Sequence, residues 1–169
     1  MSRLLGVDLG ERRVGVALAD ADGGRARPLA TLQRGRTAEA DGAALLELIH
    51  EHEVVELVVG LPLEASGVEG AQARATRSWV AAVQPQIGLP VTLRDERLTS
   101  HLAEQRIGPM KRGRSGGPPS PSQRQAYRAR IDREAAAIIL QDELDARAVR
   151  GTSRDRAVDN AAQRTEIDG

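Results

Sequence analysis

The sequence has no cysteine and no phenylalanine, one tryptophan, one tyrosine and one lysine. Without cysteine there can be no disulfide, thiolate zinc site or cysteine nucleophile, so any metal must sit on oxygen or imidazole. The lack also fits a reducing compartment. With Trp79 and Tyr127 as the whole aromatic complement, there is no platform on which bases could stack, and a bound nucleic acid would have to be held through its phosphates and shape. No apolar run is long enough to span a membrane. Met1 to Leu5 leads straight into an apolar strand pattern without a basic flank or cleavage site, so a cytoplasmic protein without a signal peptide is expected. Net charge is absent too, because 24 basic residues balance 24 acidic ones. The balance conceals a gradient. Residues 1–93 carry 9 basic and 12 acidic side chains, residues 94–133 carry 10 against 4, and residues 134–169 carry 5 against 8.

What is present suits one α/β domain: 169 residues, 40 % of them hydrophobic. Two short apolar runs, 3–8 and 14–20, are separated by five residues and predict a hairpin, with a third strand over 27–33. Thr37 is placed to cap a helix running to about Glu51, and 54–63 is the most continuous apolar stretch, a central strand ending near Pro62. A helix over 70–83 puts Trp79 inward as core filler, and 90–96 predicts another strand. Residues 108–123 are rich in Gly, Pro and Ser, basic, and short of anything to bury, which predicts a mobile loop. A last helix begins between Ser122 and Ile131 and ends near Val149. The polar stretch 151–169 reads as a disordered tail beyond a domain of residues 1–150. The order is βββ-α-β-α-β-α, which makes a mixed five-stranded sheet with parallel crossovers.

Carboxylates interrupt this pattern where chemistry is expected. Asp8 ends the first strand, Asp95 and Glu96 end the last, and Asp132 lies near the start of the final helix. Taken singly, each has an ordinary reading: a turn residue before glycine, a surface ion pair, a helix-terminus charge. Brought together at one sheet edge they would repel unless a cation joined them, and hard oxygen ligands suit Mg²⁺ or Mn²⁺. Such ions activate water and clamp a phosphodiester, so Asp8, Glu96 and Asp132 are the expected metal ligands and catalytic residues of a nuclease. Successive strand residues leave on opposite faces, so Asp95 and Glu96 cannot both be assumed to serve. Glu96 is preferred for its reach, with Asp95 in reserve.

The basic excess flanks these acids. Arg12, Arg13, Arg97, Lys111, Arg112, Arg114, Arg124, Arg128 and Arg130 are the candidate phosphate contacts, with steep salt dependence expected. The bland alternative is a solvated charged surface. His50, His52 and His101 read as surface residues, although His101 lies near enough to Glu96 in sequence to consider for proton transfer.

Four blocks carry a resemblance: Gly6-Val7-Asp8-Leu9-Gly10-Glu11-Arg12-Arg13-Val14-Gly15-Val16-Ala17, then Val58-Val59-Gly60-Leu61-Pro62-Leu63, then Arg94-Asp95-Glu96-Arg97-Leu98-Thr99-Ser100, then Ile131-Asp132-Arg133-Glu134-Ala135-Ala136. In kind and order they resemble the YqgF or RuvX family of pre-16S rRNA nucleases. The resemblance implies an RNase H-like fold with helices on both faces of the sheet, a cytoplasmic location, RNA rather than DNA as the nucleic acid bound, ribosome precursors as partners and a role at the 5′ end of 16S rRNA. It also puts Asp8, the Asp95-Glu96 pair and Asp132 at the family's acidic positions. For some relatives junction-resolving DNA cleavage is the proposed activity, which requires a homodimer rather than a monomer. Two positions depart from the family pattern: Glu64-Ala65-Ser66-Gly67 replaces a usual Asn-Met-Asp-Gly, and Arg133 stands where serine is common. Two rivals remain at this level, a non-cleaving ribosome-assembly factor and an actin/hexokinase-type ATPase, whose second lobe this length does not supply.

Overall fold

A computed structural model describes residues 2–167, with side-chain surroundings for residues 2–158. The first three strands, β1 (Arg3–Leu9), β2 (Arg13–Asp20) and β3 (Arg27–Gln33), form an antiparallel meander. Helix α1 (Ala38–His52) then leads to β4 (Val54–Pro62), and α2 (Ala71–Ile87) to β5 (Val91–Glu96). β4 pairs in parallel with β1 and β5 in parallel with β4, giving the sheet order β3-β2-β1-β4-β5. This is the mixed five-stranded sheet that the element order predicts. Thr37 caps α1 as expected, its side chain accepting a hydrogen bond from the Ala40 amide at 3.2 Å. α2 runs one turn beyond the predicted 83, because Ile87 is still buried before Gly88 turns left-handed at φ 71°.

Strand alternation divides the core in two. Leu5, Val7, Val14, Val16, Leu18, Leu57 and Val59 face α1 and α2, whose Leu45, Ile49, Trp79, Val80 and Val83 close over them. Trp79 does fill core there, and its indole N–H also donates to buried Asp41 at 2.9 Å. On the other face Leu4, Ala17, Ala19 and Val58 meet Ala136, Ala137, Ile139, Leu140 and Leu144 of the last helix, α4 (Pro121–Ile167).

Two sequence-based expectations are corrected. A nine-residue helix, α3 (Thr99–Ile107), lies between β5 and the basic loop; Ala103 and Ile107 pack it on Ile131, Ala135 and Ile138 of α4. The loop of 108–123 ends three residues early. Ser120, Pro121 and Gln123 form a capping box: the Gln123 amide donates to Ser120 Oγ at 3.2 Å, and the Ser120 amide to Gln123 Oε1 at 2.7 Å. Helix α4 itself runs on through Ile167. Alanines and alternating acids and arginines sustain helix without tertiary contact, and every described side chain from Gly151 to Val158 is exposed. Residues 168 and 169 lie outside the described residues. Among the described residues no helix is long and apolar enough to cross a membrane.

Candidate active site

Three glycines decide how closely α4 lies on the sheet. A Cβ on Gly6 would stand 2.7 Å from Leu140 Cβ and 2.8 Å from the Ala136 carbonyl, and one on Gly60 would stand 2.5 Å from Ile139 Cδ1. A Cβ on Gly15 would collide with the backbone carbonyl of Asp132. Gly15 is also the cross-strand partner of Asp8. The missing side chain opposite Asp8 is therefore the gap into which α4 lowers Asp132, and the two carboxylates become neighbours although 124 positions of chain separate them.

Asp8 shares the α4 face with Leu4 and Gly6. Burial, and secondarily the charge of Asp132, push the Asp8 carboxyl up from the ordinary 3.8 to about 7. Asp132 is in turn held by Arg13, whose Nε donates to Oδ2 at 2.5 Å. Glu96 reaches the same cleft from β5. Its register explains why Glu96 lies there and Asp95 does not: Gly60 pairs with Arg94 and Pro62 with Glu96, so Arg94 and Glu96 join the α4 face while Asp95 turns to the other, exposed and beside Arg77 of α2. Burial is the main cause, and neighbouring Asp142 of α4 the second, of the rise of Glu96 to about 7; the Thr99 hydroxyl, donating at 3.0 Å, and Arg94 oppose it.

Asp8, Glu96 and Asp132 line one cavity of about 440 Å³ together with Gly10, Gly60, Gln72, Leu98, Thr99 and His101. They do not meet at a point. Among the described residues no three acidic or imidazole side chains come close enough to hold one ion between them; the acids stand as two pairs, Asp8 with Asp132 and Glu96 with Asp142. Sequence reading missed Asp142, which stands almost three helical turns beyond Asp132, a spacing that would have flagged it. It missed Thr99 as well, because α3 was not foreseen.

The basic residues fall into separate groups. Arg12, Arg13, Arg124 and Arg128 line a second cleft of about 350 Å³ with Gln33, Pro121 and Gln125, and Arg13 joins this cleft to Asp132. Arg97 packs its guanidinium on Gly67, the left-handed residue (φ 85°) of the turn at Glu64-Ala65-Ser66-Gly67. Lys111, Arg112 and Arg114 are exposed on the loop before α4, and Arg130 is exposed on α4 itself. Arg106 pairs with Glu134 at 3.2 Å.

A mixed sheet crossed by a helix that brings acids to the sheet edge, with an arginine cleft alongside, places the chain among the α/β proteins. The family follows from comparison: a model of the RuvX family, described as Holliday junction resolvase, matches residues 2–146, and the chain belongs to that family. A protein of Anaeromyxobacter dehalogenans named "Putative pre-16S rRNA nuclease" is 44 % identical over 146 residues, covering 86 % of this chain and 98 % of that one. One of the same name from Frankia casuarinae is 39 % identical over 166 residues, 98 % of this chain and 76 % of that one. Among solved structures, T. thermophilus RuvC in complex with a Holliday junction substrate is 18 % identical with a TM-score of 0.48, covering 86 % and 96 % of the two chains.

Proposed function

We propose that this protein is a divalent-metal-dependent nuclease that hydrolyses phosphodiester bonds in precursor 16S rRNA. The single observation that carries the reading is the convergence of Asp8, Glu96 and Asp132 on one cavity beside a four-arginine cleft. The relatives' names favour RNA as the substrate. A divalent cation fits the residues present. Glu96 Oε1 is buried without a hydrogen-bond partner, the Arg94 guanidinium standing off at 3.7 Å, and burial first, a neighbouring carboxylate second, disfavours the ionised form of Asp8 and of Glu96. Mg²⁺ is commonly held by only one or two carboxylates, its remaining positions filled by water and substrate phosphate. Asp8 and Asp132 would share such an ion, while Glu96 lines the same cavity beside Asp142 and Asp95 is left out by its register. Bound there, Mg²⁺ or Mn²⁺ would supply an activated water and stabilise charge on the phosphoryl oxygens. The chain's own residues do the rest. Arg12, Arg124 and Arg128 hold backbone phosphates, and Ile139 and Pro62 give the carboxylate cavity an apolar wall.

The test is cleavage of precursor 16S rRNA, unstructured RNA and four-way DNA side by side, with Mg²⁺, Mn²⁺ or EDTA, by wild type and Asp8→Asn. Metal-dependent cutting of the precursor that Asp8→Asn loses is the expected result. Cutting confined to four-way DNA would move the substrate to junctions. Cutting that survives EDTA or Asp8→Asn would remove the metal site from the mechanism.

A further inference from the structure

Arg13 links the two clefts: it lines the arginine cleft and bonds Asp132, which lines the acidic cavity. Its Nε donates to Asp132 Oδ2 at 2.5 Å, and both side chains are about four-fifths shielded from solvent, 18 % and 20 % exposed. The same side chain lines the arginine cleft with Arg12, Arg124 and Arg128. A guanidinium on a carboxylate is a cation already in place. It neutralises Asp132 and stands where a metal would draw on the same oxygen. Once a divalent ion takes Asp132, that pairing weakens, and the freed guanidinium has a neighbouring cleft of like charge that only an anion makes comfortable.

We infer that Arg13 is a two-position residue: it occupies Asp132 in the metal-free protein and turns to a substrate phosphate in the Arg12/Arg124/Arg128 cleft when a divalent cation binds. The inference rests on the metal-site reading above. It makes metal and phosphodiester binding mutually reinforcing, since each ligand removes an obstacle to the other, and such coupling is necessarily reciprocal.

Calorimetric titration with Mn²⁺, with and without a short phosphorothioate-linked RNA, reads both halves without relying on turnover. In wild type the RNA should tighten Mn²⁺ binding roughly tenfold, within the usual range of coupling between sites. In Arg13→Gln, Mn²⁺ alone should bind several-fold tighter than to wild type, and the RNA should no longer change its affinity. Arg13→Lys, which keeps the charge and the fold, should bind Mn²⁺ between the two. Arg12→Gln removes the same charge from the same cleft but not from Asp132, so it should leave the affinity for Mn²⁺ alone within about twofold of wild type. Equal or weaker Mn²⁺ binding by Arg13→Gln, undiminished coupling in that variant, or an equal gain in Arg12→Gln would each overturn the two-position role while leaving the metal site standing. Absence of Mn²⁺ binding by wild type, or binding that Asp8→Asn does not weaken, would instead overturn the metal site and this inference with it.

Discussion

Asp8 is a carboxyl group placed where negative charge is disfavoured, and this has a sign. Its value in the fold, about 7, lies above the ordinary 3.8, so the folded chain holds the proton more firmly than the unfolded one. The resulting stability is complete below about pH 4 and is lost as pH rises through 7. Glu96, also raised to about 7, acts in the same direction. The metal-free protein should therefore melt at lower temperature at pH 8 than at pH 5, and Mn²⁺ should restore the loss at pH 8 while doing little at pH 5. Asp8→Asn should flatten that profile and gain about 1–2 kcal/mol at pH 8, less than the full shift because the carboxyl is partly in contact with water. Differential scanning calorimetry of the two proteins across pH checks both statements. Asp41 is the contrasting case. It accepts from Trp79 at 2.9 Å, the Gly35 amide at 2.6 Å and Arg34 Nε at 2.8 Å, a buried acid with its partners in place. Asp41→Ala should cost about 3 kcal/mol in urea unfolding by stranding those donors, with the affinity for Mn²⁺ unchanged.

At the scale of elements, the site depends on the path of α4 across the sheet. Ala129 accepts from Thr31 of β3, Asp132 lies over Gly15 of β2, Leu140 over Gly6 of β1, and Glu143 meets Arg94 of β5. One helix thus supplies acids to two different strand ends. Gly15→Ala should lift its first turns, costing about 2–4 kcal/mol and weakening Mn²⁺ binding; a fold of unchanged stability that still binds Mn²⁺ as wild type would show that the contact is not what seats Asp132. Strand periodicity and the Thr37 cap made β1, β2, β3 and α1 legible from sequence. α3 was not, since a nine-residue helix with little more than Ala103 and Ile107 to bury has no period of its own until α4 covers it. The capping box at Ser120 was obscured by the surrounding glycines and prolines, whose composition reads as loop.

Across the whole molecule, neutrality is an average of unlike regions. The arginine cleft and the carboxylate cleft are adjacent, joined by Arg13, while the acidic excess lies elsewhere in the chain. Binding of RNA should weaken steeply with salt, and Arg124→Gln should lower the slope of log affinity against log salt by about one unit; an unchanged slope would exclude Arg124 from the phosphate path. The sequence by itself determined the strands, the inventory of acids and the family, because each rests on local periodicity or on the identity of neighbouring residues. Only the tertiary structure decided that Glu96 rather than Asp95 enters the cleft, that Asp142 stands beside it, and that Arg13 holds Asp132 across 119 positions of chain. Those outcomes follow from sheet register and from the angle at which a helix crosses bare glycines, and no local pattern encodes either.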